Sequence, residues 1–250
     1  MRGRAIPLSR PRRMVADLMY FAAGVPTVPV QRRMNLAPLV AARTATPDRP
    51  PWTAIFTKAY ALVAADVPDL RRAYVKFPWA HLYEYPASAA YVTVERDYRD
   101  EKAVFGYRIK DPATLSIHQI AEHLKYAATA PVDEVKTFRR AMTVAGYPRP
   151  VRRLLMWVAL NVGRQRANYA GTFAVSVYSG LGAESLHPLS PWTTLLNYGV
   201  IAADGGCDVR VIYDHRVLDG ANVARVLAKL EAVLCGPIVE ELRGSRAKAA

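Results

Sequence analysis

The sequence predicts one α/β domain in which a mixed or antiparallel sheet carries helices on one face. The chain has 250 residues, of which 52% are hydrophobic and 22% are charged, a composition typical of a folded globular protein. Apolar residues switch several times between helical spacing and strand alternation, which is the pattern of an α/β fold. No internal repeat and no long linker divides the chain, so a single domain is expected.

The helices follow from apolar residues three and four positions apart, as with Ile55, Ala59 and Leu62. This spacing predicts helices at residues 12–24, 37–43, 52–70, 114–128 and 220–234. Residues 131–170 are predicted to be helical in pieces, because the stretch "GYPRP" (146–150) interrupts them.

The strands follow from alternating apolar and polar residues. This pattern predicts strands at residues 87–98, 102–109, 171–179, 193–201 and 207–213. The first two are separated by three residues, which is the signature of a β-hairpin. Residues 25–36 are predicted to be extended, and Pro26 and Pro29 suit an edge strand, since proline cannot donate a backbone hydrogen bond.

The ends of the chain differ from its middle in composition. Residues 1–13 form an arginine-rich arm, and residues 14–236 contain all the predicted elements of the domain. Residues 237–250 are polar and are expected to fray as a C-terminal tail.

The charge of the chain indicates an anionic partner. Thirty-four Lys and Arg residues against 21 Asp and Glu give a formal net charge of +13 and a pI of about 9.9. Nucleic acid, an acidic membrane surface or a phosphate-bearing small molecule would fit this charge, and so would a merely solvated basic surface. The chain has no basic stretch interleaved with aromatic residues, so no nucleic-acid partner is expected.

The cysteines and the N-terminus suggest a reducing compartment. Cys207 and Cys235 are too few for a disulfide framework or a metal site. The N-terminal stretch "MRGRAIPLSRPRRM" is basic but lacks the apolar core of a signal peptide. No run of 18 or more apolar residues is present, so a cytoplasmic protein is expected.

The stretch "VRVIYDHRVLDG" (209–220) places a histidine where a predicted strand gives way to a helix. His215 could be a catalytic base projecting from a rigid scaffold. It could equally be an ordinary partly buried histidine, with Asp219 as a helix N-cap and Gly220 easing the turn. One histidine and two carboxylates do not supply enough ligands for zinc, so no metal is expected.

The wider sequence bears on these alternatives through a family resemblance. "DHRVLDG" (214–220) resembles the active-site signature His-x-x-x-Asp-Gly of the catalytic domain of dihydrolipoamide acyltransferases, the E2 components of 2-oxoacid dehydrogenase complexes. Chloramphenicol acetyltransferase shares a reduced form of that signature. Five further segments resemble family stretches in the same order: "IPLSRPRRMVADLM" (6–19), "VPTVPVQRRMNLAPLVAAR" (25–43), "IFTKAYALVAADVPDL" (55–70), "LSIHQIAEHLKYAA" (115–128) and "GTFAVS" (171–176). The resemblance spans about residues 5 to 235 and implies a chloramphenicol acetyltransferase-like fold, an α+β two-layer sandwich.

The resemblance implies acyl transfer between coenzyme A and a thiol, hydroxyl or amine acceptor. The pKa of an unperturbed thiol is about 8.5 and that of histidine about 6.5, so a neutral imidazole can take the thiol proton as the sulfur attacks a thioester. His215 would be this general base. Ser176 stands where the family carries its oxyanion-stabilising serine. Ser179 is an alternative donor, because "VYSGLG" follows Ser176 where the family usually has Asn-x-Gly.

Further roles are implied around the histidine. Asp219 would hold the loop, through backbone hydrogen bonds or an ion pair with Arg12 or Arg43, and Gly220 would support the turn. Arg216 is a candidate for binding the phosphates of coenzyme A. In the family the site lies between the subunits of a trimer, with the histidine from one chain and the serine from its neighbour. A homotrimer is therefore expected, and trimers could assemble further into a cubic shell.

Besides the residues after Ser176, the chain departs from the family in two further respects. It shows no lipoyl domain or peripheral subunit-binding domain, so no lipoyl group is expected on this chain, and a separate lipoyl or acyl-carrier protein is the expected partner. Residues 129–170 do not follow the family, and within them "VRRLLMWVALNVGRQR" (151–166) has an apolar centre flanked by arginines. This segment could be a buried or trimer-interface helix, an acyl-chain pocket or a membrane-surface contact. Two functions stay open: an active acyltransferase, or a non-catalytic scaffold that only forms the assembly.

Overall fold

The computed structural model describes residues 1–249, with side chains described up to residue 244. The helices are α1 (Arg10–Ala22), α2 (Ala37–Ala45), α3 (Trp52–Asp66), α4 (Ile117–Thr129), α5 (Lys136–Ala145), α6 (Arg149–Asn161), α7 (Gly163–Tyr169), α8 (Gly220–Cys235) and α9 (Pro237–Ala249). The strands are β1 (Thr27–Asn35), β2 (Arg72–Val75), β3 (His81–Glu84), β4 (Ala89–Tyr98), β5 (Glu101–Lys110), β6 (Phe173–Val175), β7 (Thr194–Tyr198) and β8 (Gly206–Asp214). Among these helices, none is both long enough and apolar enough to cross a bilayer.

Six strands form a mixed sheet in the order β1-β8-β7-β6-β4-β5. β6 runs parallel to its neighbours β4 and β7, and the other neighbouring pairs are antiparallel. β2 and β3 form a separate antiparallel pair. The predicted mixed sheet and the predicted β4–β5 hairpin are confirmed. β1, which contains Pro29, is an edge strand as expected, because the ladder loses nothing on the side that has no partner.

The larger core lies between one face of the sheet and the helices α3, α4 and α8. Alternate residues of β8, such as Val209 and Val211, face this core. Every residue of α3 from 54 to 61 is buried, and Phe56 stacks on Tyr198 with ring centroids 4.0 Å apart. Burial of each large apolar side chain stabilises the fold by about 1.5–3 kcal/mol, so this face dominates the stability of the domain.

The opposite face of the sheet is also covered by helices. Ala174, Leu195 and Ile212 point to this side and pack with Leu18 of α1 and Leu160 of α6. The fold class predicted from the sequence is confirmed, with its main helical layer on one face. The smaller helical layer on the other face was not predicted. It includes α6, which lies within residues 129–170.

The C-terminal segment corrects one prediction. Residues 237–249 form α9, in which Ile238, Val239 and Leu242 are buried in the larger core. Pro237 is the first residue of this helix, a position that suits the fixed φ of proline. The prediction of a frayed polar tail from residue 237 is therefore wrong over the residues that the structure describes.

Candidate active site

His215 is the first residue after β8, between two segments that fix its backbone. Its N–H donates a hydrogen bond to the carbonyl of Pro26 at 3.0 Å. The N–H of Asp214 donates to the carbonyl of Thr193 at 2.9 Å. Because backbone hydrogen bonds hold the chain on both sides at this point, the histidine projects from a rigid strand end.

The imidazole of His215 has one nitrogen engaged and one available. Nδ1 lies 3.1 Å from the carbonyl oxygen of Leu218. A carbonyl only accepts hydrogen bonds, so this contact assigns the proton to Nδ1 and leaves the lone pair on Nε2. The side chain is 49% exposed, and its ring meets that of Tyr213 edge to face with centroids 5.6 Å apart. A reactant can therefore reach a histidine whose orientation is already set.

Asp219 lies beside this ring, and its side chain does not cap the next helix. It occupies the N-cap position of α8, but its side chain makes no capping hydrogen bond, and it is 79% exposed. One carboxylate oxygen is 3.6 Å from Nδ1 of His215, which is too long for a strong hydrogen bond. A Cβ on Gly220 would lie 3.4 Å from the Tyr213 hydroxyl, an ordinary contact, so the chain itself does not require glycine there.

Asp214 carries a local network that the sequence-based reasoning missed. Its carboxylate is 1% exposed and accepts hydrogen bonds from Arg216 through the backbone N–H at 3.0 Å, Nε at 2.8 Å and Nη2 at 2.7 Å. The guanidinium of Arg216 lies 4.3 Å from the ring centroid of Tyr74 in β2. The signal in the sequence was an Asp and an Arg two positions apart around the histidine. The predicted contact of Arg216 with coenzyme A phosphates stays a prediction, and the pairing with Asp214 competes with it.

The two arginines proposed as partners of Asp219 are not paired with it among the described residues. Arg43 donates from Nε to the carbonyl of Pro50 at 2.7 Å, and its guanidinium lies 4.5 Å from the ring centroid of Trp52. Burial lowers the pKa of Arg43 from its usual value. Arg12 lies in the first turn of α1. Within the part of the chain that the structure describes, neither arginine forms an ion pair with Asp219, so that predicted pairing is not found inside one chain.

Ser176 follows β6 directly and is largely buried, at 8% exposure. Its N–H donates to the carbonyl of Leu196 at 3.2 Å, and its own carbonyl accepts from Nδ2 of Asn197 at 2.6 Å. The side-chain oxygen of Asn197 is buried and has no partner within the described residues. Ser176 is therefore held on a rigid strand end, next to an unsatisfied acceptor.

The sheet register keeps Ser176 away from His215 within one chain. Ser176 is bonded to Leu196, and the next residue, Asn197, pairs with Arg210 of β8. Five residue steps along the chain then lead from Arg210 to His215, which is about 16 Å at the rise of a strand. The serine and the histidine thus lie at opposite ends of the central strands, and a single chain does not bring them together.

Ser179 lies at the same end of the sheet as Ser176. It starts the turn Ser179–Leu181 and lies at the hydroxyl of Tyr198. Burial raises the pKa of Tyr198 to about 12, and hydrogen bonding by Thr53 and Ser179 acts in the opposite direction. Ser179 is thus also remote from His215 within one chain.

A cavity of about 520 Å³ lies elsewhere, among α1, the β4–β5 hairpin and α5. Arg10, Tyr98, Arg139 and Met142 are among its lining residues, and none of the candidate site residues lines it. The cavity therefore does not serve the chemistry around His215.

Comparison with solved structures identifies the architecture. The catalytic core of dihydrolipoamide acetyltransferase from Azotobacter vinelandii aligns with a TM-score of 0.68 and 18% identity, over 94% of this chain and 93% of that one. This chain has the fold of an E2 catalytic core. The structure of the Azotobacter enzyme addresses the roles of a serine, a histidine and an asparagine in its catalytic mechanism.

Two further solved structures support the same E2-like fold. The cubic core of a pyruvate dehydrogenase multienzyme complex aligns with a TM-score of 0.64 and 18% identity, over 94% of this chain and 93% of that one. Chloramphenicol acetyltransferase aligns with a TM-score of 0.54 and 13% identity, over 88% of this chain and 94% of that one. No protein-family model and no curated protein sequence matches the chain.

Within the E2-like fold, the small β2–β3 pair lies next to the histidine. The hydroxyl of Thr193, just before β7, donates to the carbonyl of Arg72 at 2.7 Å, and the guanidinium of Arg216 lies over the ring of Tyr74. β2 leads into Phe77, whose ring meets that of Trp157 in α6 with centroids 6.2 Å apart. Helix α6 is therefore joined to the β2 segment whose Tyr74 contacts Arg216.

Proposed function

We propose that this chain is an acyltransferase of the E2 catalytic-domain type. It transfers an acyl group between coenzyme A and a thiol, hydroxyl or amine acceptor, with His215 as the general base. The observation that carries the proposal is the imidazole of His215. Its Nδ1 is turned to the Leu218 carbonyl, and its Nε2 has no partner among the described residues. A half-exposed imidazole held in this way presents Nε2 to a reactant, as a general base requires.

The chemistry follows from that geometry. Nε2 of His215 takes the proton of the acceptor as its sulfur, oxygen or nitrogen attacks the thioester carbonyl of acyl-CoA. The tetrahedral oxyanion collapses, the carbon–sulfur bond breaks, and the imidazolium returns the proton to the leaving thiolate. The products are the acylated acceptor and free coenzyme A. The Asp219 carboxylate lies 3.6 Å from Nδ1 of His215 and so faces the ring during this step.

The oxyanion requires a hydrogen-bond donor, and a second copy of the chain is proposed to supply it. Ser176 is the leading candidate and Ser179 the alternative. Because about 16 Å of strand separates Ser176 from His215 in one chain, the serine has to come from a neighbour. A homotrimer fits this need, and the cubic pyruvate dehydrogenase core shows that the fold occurs in larger assemblies.

The proposed partners follow from the same reaction. Coenzyme A is a substrate that is released and rebound, so no resident cofactor is invoked. A lipoyl or acyl-carrier protein would deliver the acyl group or accept it. The free thiols Cys207 and Cys235 are compatible with the proposed cytoplasmic location.

The test is turnover of acyl-CoA by the intact oligomer. Release of coenzyme A from acetyl-CoA and longer acyl-CoAs would be followed by mass spectrometry with a dithiol acceptor. His215→Ala is expected to lower kcat by about 10²–10⁴-fold because the general base is lost. Ser176→Ala is expected to lower kcat by about 10²-fold or more because the oxyanion loses its donor.

His118→Ala in α4 is the matched control, since this histidine is outside the candidate site, and its turnover is expected to stay at the wild-type level. Unchanged turnover in His215→Ala would refute the general base. Failure of coenzyme A and every acyl-CoA to bind in calorimetry would favour the alternative function, a non-catalytic scaffold. The observation that favours this alternative is the separation of Ser176 from His215, because a single chain lacks a complete site.

A further inference from the structure

Helix α6 is held to α1 by two arginines. Arg152 donates from Nε to Asp17 of α1 at 2.7 Å, and Nε of Arg153 donates to the same carboxylate at 3.2 Å. The side chains of Asp17 and Arg152 are 3% and 9% exposed. Arg153 also stacks on the ring of Tyr20, with its guanidinium carbon 3.6 Å from the centroid. A surface helix normally turns its apolar stripe to the core, and here buried ion pairs take part of that role.

The outward side of α6 is apolar. Val151, Leu154 and Leu155 are 42%, 61% and 42% exposed. Val158 is partly exposed as well. Because these residues are spaced i, i+3, i+4 and i+7, they form one stripe along the helix. The stripe that usually faces a protein core therefore faces away from it in this chain.

Aromatic side chains extend the stripe at both ends of α6. Tyr147, just before the helix, is 44% exposed. At the other end, the N–H of Phe77 donates to the carbonyl of Asn161 at 3.3 Å, and its ring meets that of Trp157 with centroids 6.2 Å apart. Phe77 and Trp79 are 52% and 69% exposed. We call the exposed apolar residues of this surface the α6 face: Phe77, Trp79, Tyr147, Val151, Leu154 and Leu155. They expose on the order of 500 Å² of apolar surface, a size typical of an interaction site.

The sequence around the α6 face is cationic. Residues 135–183 contain eight Lys and Arg residues and no Asp or Glu. Arg149 at the start of α6 is exposed, and so are Lys76 and Arg164 near its end. Among the described residues these three cations form no ion pair, and the carboxylate of Asp17 is already taken by the inward arginines. The α6 face thus has unpaired positive charge at both ends.

The combination of charge and side-chain type indicates what the α6 face fits. A second copy of the chain would bring the same cations against it, and a net charge of +13 on each copy opposes that contact. A bilayer with anionic headgroups attracts Lys and Arg to its surface. Leu and Val favour the acyl boundary of a bilayer, and Trp and Tyr favour the level of the headgroups. An anionic lipid surface therefore matches the α6 face in both charge and apolar character.

We propose that the α6 face binds the surface of a membrane that contains anionic phospholipid. Helix α6 lies in the plane of the interface, with Leu154 and Leu155 at the acyl boundary and Arg149 at the headgroup phosphates. The helix has 13 residues, a length of about 20 Å, so it lies on the bilayer and does not cross it. The inference goes beyond the proposed acyl transfer and holds equally for a non-catalytic scaffold.

The test is co-sedimentation of the full chain with lipid vesicles. Vesicles of mixed phosphatidylglycerol and phosphatidylcholine are expected to carry the wild-type chain down, and vesicles of phosphatidylcholine alone are expected to do so much less. Leu154→Glu places an anion in the stripe and is expected to weaken binding about tenfold or more. Arg149→Ala removes one cation near the phosphates and is expected to weaken binding about fivefold.

Two matched controls separate the α6 face from the overall charge. Val104→Glu adds the same anion at a residue of β5 that is 51% exposed. Lys125→Ala removes an exposed cation from α4, which packs on the opposite face of the sheet. Both controls are expected to bind the anionic vesicles within about twofold of the wild-type chain, because a surface charge acts on the bilayer only over about a Debye length.

Trp79 gives a readout that locates the contact. The emission of an indole shifts to the blue when the ring leaves water for the headgroup region, so wild-type fluorescence is expected to shift when anionic vesicles are added. Trp79→Phe keeps an aromatic ring in the α6 face. This variant is expected to bind the vesicles while losing a large part of the shift.

Several results would overturn the proposal. In the simplest, the wild-type chain does not sediment with anionic vesicles, or Leu154→Glu sediments as the wild type does. Equal losses in Leu154→Glu and Val104→Glu would show a contact through overall charge alone. If an acidic acyl-carrier protein binds and vesicles do not, or if Leu154→Glu only dissociates an oligomer, the α6 face binds a protein instead. Circular dichroism checks that each variant is folded, and Arg149→Ala carries the test if Leu154→Glu misfolds.

Discussion

At the scale of the residue, the carboxylate of Asp214 receives three hydrogen bonds from Arg216 while almost wholly removed from water. A buried carboxylate is costly unless its charge is matched, and the bidentate guanidinium matches it. The pair brackets His215 in the sequence and ties it to β2 through Tyr74. It is therefore suited to hold the histidine in position.

Asp214→Asn tests this pairing. The substitution keeps the shape of the side chain but removes the charge that Arg216 faces, so the free energy of unfolding is expected to fall by about 2 kcal/mol. Urea denaturation measures the change. Asp208→Asn on the same strand is the control, because its partner Arg33 is 61% exposed at 3.4 Å, and a change within about 0.5 kcal/mol is expected. Equal effects of the two substitutions would argue against a special role for Asp214.

At the scale of the element, α9 depends on a few buried side chains. Ile238, Val239 and Leu242 lie on one face of the helix and pack into the larger core, and α9 contacts α2 and α8. The spacing of these three residues was present in the sequence as a helical pattern. The polar residues between them and the terminal position of the segment obscured it.

Leu242→Ala tests whether α9 belongs to the folded core. The substitution leaves a cavity where a fully buried leucine was, so a loss of about 2–4 kcal/mol is expected. Thermal and urea denaturation would measure it. Glu240→Ala, on the exposed side of the same helix, is expected to change the stability by less than about 0.5 kcal/mol. No loss in Leu242→Ala would restore the frayed tail that the sequence predicted.

The β2–β3 pair is the other element that sequence patterns did not reveal. Each strand has four residues, too few for an alternation to be distinctive. Their position comes from tertiary contacts, including the bond of Thr193 to Arg72 and the Tyr85 hydroxyl donating to the carbonyl of Gly163 at 2.9 Å. The loop between them exposes Phe77 and Trp79, at 52% and 69%.

At the scale of the whole molecule, burial of tyrosines and a cysteine makes stability depend on alkaline pH. Burial raises the pKa of Tyr91 and of Tyr198 to about 12, and that of Cys207 to about 11. In the unfolded chain these groups ionise near their ordinary pKa, about 10 for tyrosine and about 8.5 for cysteine. Above those values the unfolded state binds fewer protons than the folded state, so the free energy of unfolding falls as pH rises.

The free energy of unfolding is expected to keep its full value below about pH 8.5 and to fall by an amount on the order of a few kcal/mol by about pH 10.5. Urea midpoints at constant ionic strength would measure it. Cys207→Ala is expected to flatten the profile, since the thiol ionises first in the unfolded chain. A midpoint that is constant or rises over this range would show that these groups stay accessible to water in the folded state.

The sequence by itself determined the mixed sheet, most of its helices and the candidate residues around His215. These features are local, because strand alternation, helical spacing and the motif "DHRVLDG" each lie within a short stretch. The same locality made His215 and Asp219 visible as neighbours, four positions apart.

Only the tertiary structure decided how these parts relate. The register of β6, β7 and β8 sets Ser176 at the opposite end of the sheet from His215, and no local pattern encodes that register. The packing of α6 is likewise decided in three dimensions. In the sequence, its apolar and basic residues fit an inward or an outward placement equally well. In the structure, Asp17 of α1 holds Arg152 and Arg153 against α1, Leu154 and Leu155 lie at the surface, and Leu160 is buried.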